Sequence, residues 1–321
     1  MDPINRRDFL KIASIFVANL GLSTYSKRDV FLENNTLPRA ETEEAQAATA
    51  DALFDLATGR APVLWLHGLS CSGCSVSFLN STYPDPASVL TRYISLGYNS
   101  VVSAASGELA MNLINQHIAA KNALLVVEGA VPSGMPSACM FGEERFTDLL
   151  TRAASSAKAV IALGTCASYG GIPGAPSNPT GAEGVKSFFA NKSISTPTIN
   201  IPGCPSHPEW LVGTLVHLLK FGMPTLTDQG CPEMFFGNII HSRCPEFYSY
   251  NLGKFAKSFG EEGCLFELGC LGIRTYADCS SRRWNNKVNW CIGAGGPCIG
   301  CTQPEFAQRK DYPFYRTREK A

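Results

Sequence analysis

Short apolar runs alternate with longer amphipathic stretches from about Pro62 to Ile201. The runs Val63–His67, Ser100–Ala104, Ala123–Val127, Lys158–Leu163 and Thr198–Ile201 read as buried strands. Between them, Glu108–Ala120 and Glu143–Ala154 carry apolar residues at helical spacing. Strand, helix, strand at this interval predicts an α/β domain built on a mostly parallel sheet with both faces covered. Ligands of such sheets gather beyond the carboxyl ends of the strands.

The pattern stops before the last third of the chain. From His241 to Cys301, Gly, Pro and Asn interrupt every apolar run, so regular elements are not expected there. The same stretch holds Cys244, Cys264, Cys270, Cys279, Cys291, Cys298 and Cys301, with His241 three residues before the first of them. Thiolate-bound metal is the natural means of holding such a segment together.

The amino terminus reads as an address. Asn5-Arg6-Arg7-Asp8-Phe9-Leu10-Lys11 sets two adjacent arginines before a moderately apolar run, Ile12 to Leu22, the layout of a twin-arginine export signal. That run falls short of the roughly 20 apolar residues a spanning helix needs. Ala45-Gln46-Ala47 offers a small-x-small cleavage site. No later segment is long and apolar enough to span a bilayer, so a soluble, periplasmic mature chain is expected. The twin-arginine route carries folded proteins, which lets metal centres assemble before export. The expected organisation is a leader over residues 1–50, a sheet domain over 51–235 and a cysteine-rich domain over 236–321.

Composition narrows the classes. Lys plus Arg and Asp plus Glu are both 27, and no basic stripe points to nucleic acid or an anionic membrane. Thirteen cysteines in 321 residues is a high, odd count, unlike the even set of a short disulfide framework.

The cysteines of the sheet domain follow the strand-end rule. Cys71 and Cys74 form a Cys-x-x-Cys after the first strand, Cys166 follows AVIALG, and Cys204 follows TINIP. Three loops thus bring four thiols to one edge, with Gly68, Gly73, Gly164 and Gly203 beside them to let backbone approach a bulky inorganic group. Such a set suits a [4Fe–4S] cluster. Taken singly, Cys-x-x-Cys also fits a redox dithiol or zinc, and a lone Cys166 or Cys204 fits a buried small hydrophobe. His67 and His207 read as structural or surface groups flanking this site, and His117 and His217 carry no assignment.

Taken together, the chain resembles the small, electron-transferring subunit of the nickel–iron hydrogenases. The resemblance rests on Leu69-Ser70-Cys71-Ser72-Gly73-Cys74, Val127-Glu128-Gly129, Gly164-Thr165-Cys166-Ala167-Ser168-Tyr169-Gly170-Gly171 and Pro202-Gly203-Cys204-Pro205. It continues through Glu267-Leu268-Gly269-Cys270, Trp284-Asn285-Asn286 and Pro297-Cys298-Ile299-Gly300-Cys301. It implies a flavodoxin-like first domain and three iron–sulfur clusters. Cys71, Cys74, Cys166 and Cys204 match the proximal [4Fe–4S] ligands, and His241, Cys244, Cys264 and Cys270 match the distal [4Fe–4S] ligands. Cys279, Cys298 and Cys301 match the medial cluster, which is [3Fe–4S] in most relatives. Here Cys291 follows Trp290 where those relatives have proline, so a fourth thiolate and a medial [4Fe–4S] cluster are expected. This change, and Val76 in place of an acidic residue, resemble the nickel–iron–selenium branch. Gly73 and Gly171 stand where the oxygen-tolerant type has extra cysteines, which disfavours that type.

The implied partners are a nickel–iron large subunit, with or without selenium, and a multihaem cytochrome c as electron acceptor. No residue here is expected to perform the chemistry on H2. Phe247, Tyr248, Tyr250, Phe255, Phe259, Trp284 and Trp290 are expected to pack around the clusters. Cys139 and Cys231 match no cluster position and read as ordinary thiols; Arg282 and Arg283 read equally as partner contacts or as a solvated pair. Two other readings are a zinc-stapled binding module and the cluster-bearing subunit of another redox complex, such as a quinone-reducing one. The His241–Cys301 tail argues against the second, whose members generally lack it.

Overall fold

A computed structural model describes residues 61–307; the arginine pair, the cleavage site and residues 308–321 lie outside the described residues. Five strands form the central sheet: β1 (Ala61–His67), β2 (Ile94–Tyr98), β3 (Leu124–Glu128), β4 (Ala159–Leu163) and β5 (Thr198–Ile201). Their spatial order is β2-β1-β3-β4-β5, and every pairing is parallel. This is the flavodoxin-like doubly wound order, whose switch point lies between β1 and β3.

Both faces of the sheet are covered, so β3 and β4 are buried at every position and read as unbroken apolar runs. Side chains alternate across the sheet with the two-residue period of a strand. On one face Leu64, Leu66, Leu125 and Val127 pack against Ile114 of α2 (Gly107–Ala120) and Phe146 and Leu149 of α3 (Phe146–Ser156). On the other, Val63, Trp65, Val126 and Ile161 meet Phe78 of α1 (Gly73–Leu79). The short α4 (Gly164–Tyr169) follows β4, and α5 (Val185–Asn191) lies with α2 and α3. Trp210 of α6 (Pro208–Phe221) completes the second face, and the carboxyl-terminal segment joins the same apolar cluster through Phe236, Leu265 and Trp290. Cys244, Cys270, Cys279 and Cys298 are part of that cluster.

One expected strand is corrected. The second strand is Ile94–Tyr98, not Ser100–Ala104. Asn99 ends it: its side-chain oxygen accepts from the N–H groups of Val101 and Val102, and Ser103 N–H bonds to Asn99 O. Val101 and Val102, whose apolar character suggested a strand, are left exposed.

Beyond Phe236 the described residues form only short helical turns, among them Ile240–Arg243, Phe247–Asn251, Leu265–Leu268 and Cys279–Arg282. This is the irregular segment its Gly, Pro and Asn content predicts. No helix among the described residues is long and apolar enough to cross a membrane.

Candidate metal centres

The first thiol set sits at the carboxyl edge of the sheet. Cys71 and Cys74 lie at the entrance to α1 after β1, Cys166 lies in α4 after β4, and Cys204 follows β5. Burial, then the charges of Glu128, Cys166 and Cys204, hold the Cys74 thiol well above its usual range. Burial, with Cys204, Cys71 and Glu128 as neighbours, pushes Cys166 to about 11. Cys204 is raised by burial and by Cys71. Three of these sulfurs, Cys74, Cys166 and Cys204, are thus raised by burial and by neighbours in one volume at the strand ends.

That volume is kept clear by glycine. A Cβ on Gly164, whose φ is +84°, would lie 2.5 Å from Cys74 Sγ. One on Gly171 would lie 2.8 Å from Cys166 Sγ, and one on Gly73 would lie 3.1 Å from Cys71 Sγ. Ser206 N–H points at Cys74 Sγ at 3.4 Å. Thiols raised this far stay protonated and inert at neutral pH unless a cation holds them as thiolates. Four soft donors around a glycine-lined space with backbone N–H groups fit an iron–sulfur cluster. Among the described residues, no three His, Cys, Asp or Glu side chains close on one point as the ligands of a single ion would.

The organiser of this loop is Glu128, at the end of β3 and only 2% exposed. Its carboxylate accepts from Trp65 Nε1 at 3.2 Å, Ser75 Oγ at 2.6 Å, Ser70 Oγ at 3.2 Å and the backbone N–H of Cys74 at 3.0 Å. His67 Nε2 lies 3.1 Å from it. Burial raises the carboxyl's pKa, but the bonds from His67 and Ser75 outweigh that and leave it below its usual range. The motif Val127-Glu128-Gly129 was visible in the sequence without a role for its acid; the signal was a lone charge closing the run LLVV.

The second set comprises Cys279, Cys298, Cys301 and Cys291. Burial first, then Cys301, Asp278, Cys298 and Cys291, raises Cys279 well above its usual range. Burial and neighbouring sulfurs, Cys291 among them, push Cys298 and Cys301 each to about 12. Cys291 itself is at the surface, and its thiol is raised by burial of the sulfur and by Cys270. Cys291 thus has the thiols of both the second and the third set as electrostatic neighbours.

The third set comprises Cys244, Cys264 and Cys270. Burial, with Cys270 and Cys264 as neighbours, pushes Cys244 to about 11, and Cys264 is raised by burial and by Cys270. Cys244 N–H bonds to the carbonyl of His241 at 3.1 Å. The His241 ring packs 5.1 Å from Phe247 and 4.5 Å from Tyr250. Burial lowers its pKa, favouring the neutral form a metal ligand requires.

Other expectations divide. Tyr250, Phe255, Trp284 and Trp290 pack inward, joined by Phe266 5.5 Å from Tyr250, but Tyr248 and Phe259 are 70% and 71% exposed. Arg282 is not a solvated group: it is buried, pairs with Glu209 and reaches Asp278 at 2.7 Å. His67 and His207 are buried structural groups; His207 Nε2 lies 2.7 Å from Arg283 O. His117 and His217 bond to nearby carbonyls of Leu113 and Gly222. Cys231 is buried with its sulfur 3.1 Å from Tyr169 Oη, and Cys139 is half-buried.

Comparison with known proteins shows the family. The family described as NADH ubiquinone oxidoreductase, 20 Kd subunit, matches residues 71–218. The family that describes the C-terminal part of the NiFe/NiFeSe hydrogenase small subunit matches residues 236–315. The small subunit of the periplasmic [NiFeSe] hydrogenase of Desulfomicrobium baculatum is 40% identical, over 97% of this chain and 98% of its own. That of the periplasmic [NiFe] hydrogenase of Solidesulfovibrio fructosivorans is 35% identical, over 97% of this chain and 93% of its own. The solved [NiFeSe] hydrogenase of Desulfovibrio vulgaris Hildenborough superposes with a TM-score of 0.75 at 41% identity, covering 78% of this chain and 96% of that one. The two family matches follow each other along the chain and the relatives match nearly its whole length, so the chain belongs to the family of NiFe/NiFeSe hydrogenase small subunits.

Proposed function

We propose that this chain holds three [4Fe–4S] clusters and relays electrons from a nickel–iron site in the large subunit to a periplasmic acceptor, a multihaem cytochrome c. On this reading Cys71, Cys74, Cys166 and Cys204 hold the proximal cluster. Cys279, Cys291, Cys298 and Cys301 hold the medial one, and His241, Cys244, Cys264 and Cys270 the distal one. The sheet domain of residues 51–235 and the tail of 236–321 are its two parts, delivered by twin-arginine export.

The observation that carries the reading is continuity between the thiol sets. The hydroxyl of Thr165, beside Cys166 of the first set, donates to the carbonyl of Cys301, in the second. The backbone N–H of Cys298, in the second, points at Cys270 Sγ, in the third, at 3.4 Å. Neighbouring sets are therefore joined by hydrogen bonds, a proximity that suits a one-electron relay. When bound, the clusters accept and release single electrons at potentials set by charge, sulfur hydrogen bonds and exposure. The chain's own part is to gather and bury the sulfurs, to direct N–H groups at them, and to exclude water from all but the outer corners.

Low-temperature EPR of the co-purified heterodimer, oxidised and then reduced under H2, tests this together with iron and acid-labile sulfide analysis. Reduced-cluster signals without an oxidised three-iron signal are expected. A colourless protein containing zinc would overturn the relay, and an oxidised [3Fe–4S] signal would overturn the role of Cys291.

A further inference from the structure

Three cysteine-bearing loops meet at one hydroxyl. Thr165 stands in α4 immediately before Cys166 and is 1% exposed. Its backbone N–H donates to Gly203 O at 3.0 Å, and its Oγ1 accepts from Gly203 N–H at 2.8 Å. The same Oγ1 donates to the carbonyl of Cys301. One side of the hydroxyl is thus tied to the residue before Cys204, and the other to Cys301 itself. Both of its hydrogen-bonding roles are used, and both are spent on backbone.

The consequence lies in what this bridge holds together. Cys204 belongs to the first thiol set and Cys301 to the second, and the Thr165 hydroxyl bonds to the residue before the one and to the carbonyl of the other. That two-sided contact is the junction between the two sets. Gly203 has φ +138°, a conformation open to glycine but not to other residues, and a freely rotating glycine needs a partner to hold its peptide in one orientation. The paired bonds to Thr165 do so, while the bond to Cys301 draws the tail onto the sheet edge at the same point.

We propose that Thr165 is a positioning residue for electron transfer, whose hydroxyl fixes the Cys204 loop against Cys301 and so sets the gap between the groups held by the first two thiol sets. The inference rests on the three-cluster reading. The transfer it governs moves one electron, oxidising the group in the first set and reducing that in the second. No bond forms or breaks and no proton crosses. The electron comes from H2 at the partner subunit and leaves to the acceptor.

T165V keeps the shape and removes both hydroxyl bonds; T165S keeps both bonds. The test uses the purified heterodimer. Iron content is measured first, followed by EPR of the H2-reduced state, in which neighbouring reduced clusters split each other's signals, and by freeze-quench timing of second-set reduction. T165V is expected to retain its iron, lose or reshape the splitting between the first two clusters and reduce the second more slowly, while T165S behaves as the unsubstituted protein. Unchanged splitting and timing in iron-replete T165V would overturn the proposal. Loss of iron from T165V would also overturn it, since the hydroxyl would then serve assembly rather than spacing. If the unsubstituted heterodimer itself gives no interacting cluster signals, the three-cluster reading falls instead.

Discussion

Glu128 is a carboxylate placed where burial should neutralise it, yet it stays ionised because its surroundings were arranged first. Trp65, Ser70, Ser75, His67 and the N–H of Cys74 all direct polar hydrogens at two oxygens. E128Q replaces an acceptor with an NH2 group that must face some of those donors. It is expected to destabilise the chain by about 1–3 kcal/mol, read as a lower denaturant midpoint. Removing a negative charge beside Cys74 should also raise the potential of the cluster held there, which redox titration reads; an unchanged potential would limit Glu128 to loop structure. Cys291 offers a second test at this scale. Its φ of −52° suits proline, so C291P should fold. It is expected to produce an oxidised three-iron EPR signal absent from the parent and to raise the medial potential.

At the scale of elements, the junction between α6 and the Cys279–Arg282 turn joins the sheet to the tail. Arg282 is held by Glu209 of α6 and by Asp278, Asp278 also accepts from Trp210 Nε1 at 2.8 Å, and His207 caps α6 by accepting from Glu209 N–H at 3.1 Å. Burial, then the Arg282 charge, lowers His207 to about 3. A histidine whose folded pKa lies below its unfolded value of about 6.5 contributes full stability above that value and loses it as pH falls toward the folded pKa. Protonation at Nδ1 would also cost α6 its cap. Acidification from pH 6.5 should therefore weaken the fold by up to ~1.4 kcal/mol per pH unit through this residue. H207Q should show a flatter dependence of melting temperature between pH 7 and 5 than the parent, and equal slopes would count against it. Little of this junction was legible in the sequence. The strands and long helices announced themselves by period, and the cysteines by strand-end position and motif. Arg282, Glu209 and Asp278 are ordinary surface types whose burial depends on a contact across some 70 positions. Asn99 likewise moved a strand by capturing backbone N–H groups, a local competition that an apolar run such as Val101-Val102 conceals.

The whole molecule has two kinds of stability. The sheet holds itself: β3 and β4 are buried throughout and hydrogen-bonded on both sides. Residues 236–307 have only short helical turns and isolated bridges, and they enter the core through Cys244, Cys270, Cys279 and Cys298 together with Phe236, Ile240, Leu265 and Trp290. Where backbone ladders are few, metal–thiolate bonds supply the cross-links, and their binding energy becomes folding energy. Without metal, the thiols of Cys279, Cys298 and Cys301 return to their protonated state, because burial raises them so far, and the loops around them lose the charges they were shaped to hold. Removing the clusters anaerobically with a chelator and oxidant should therefore leave amide protection in β3 and β4 near its starting level while residues 236–307 exchange freely. Hydrogen exchange read by mass spectrometry resolves the two regions. Equal loss of protection across both would mean that the clusters hold the sheet as well, and that the two parts fold as one unit; retained protection in the tail would mean that its apolar contacts suffice without metal.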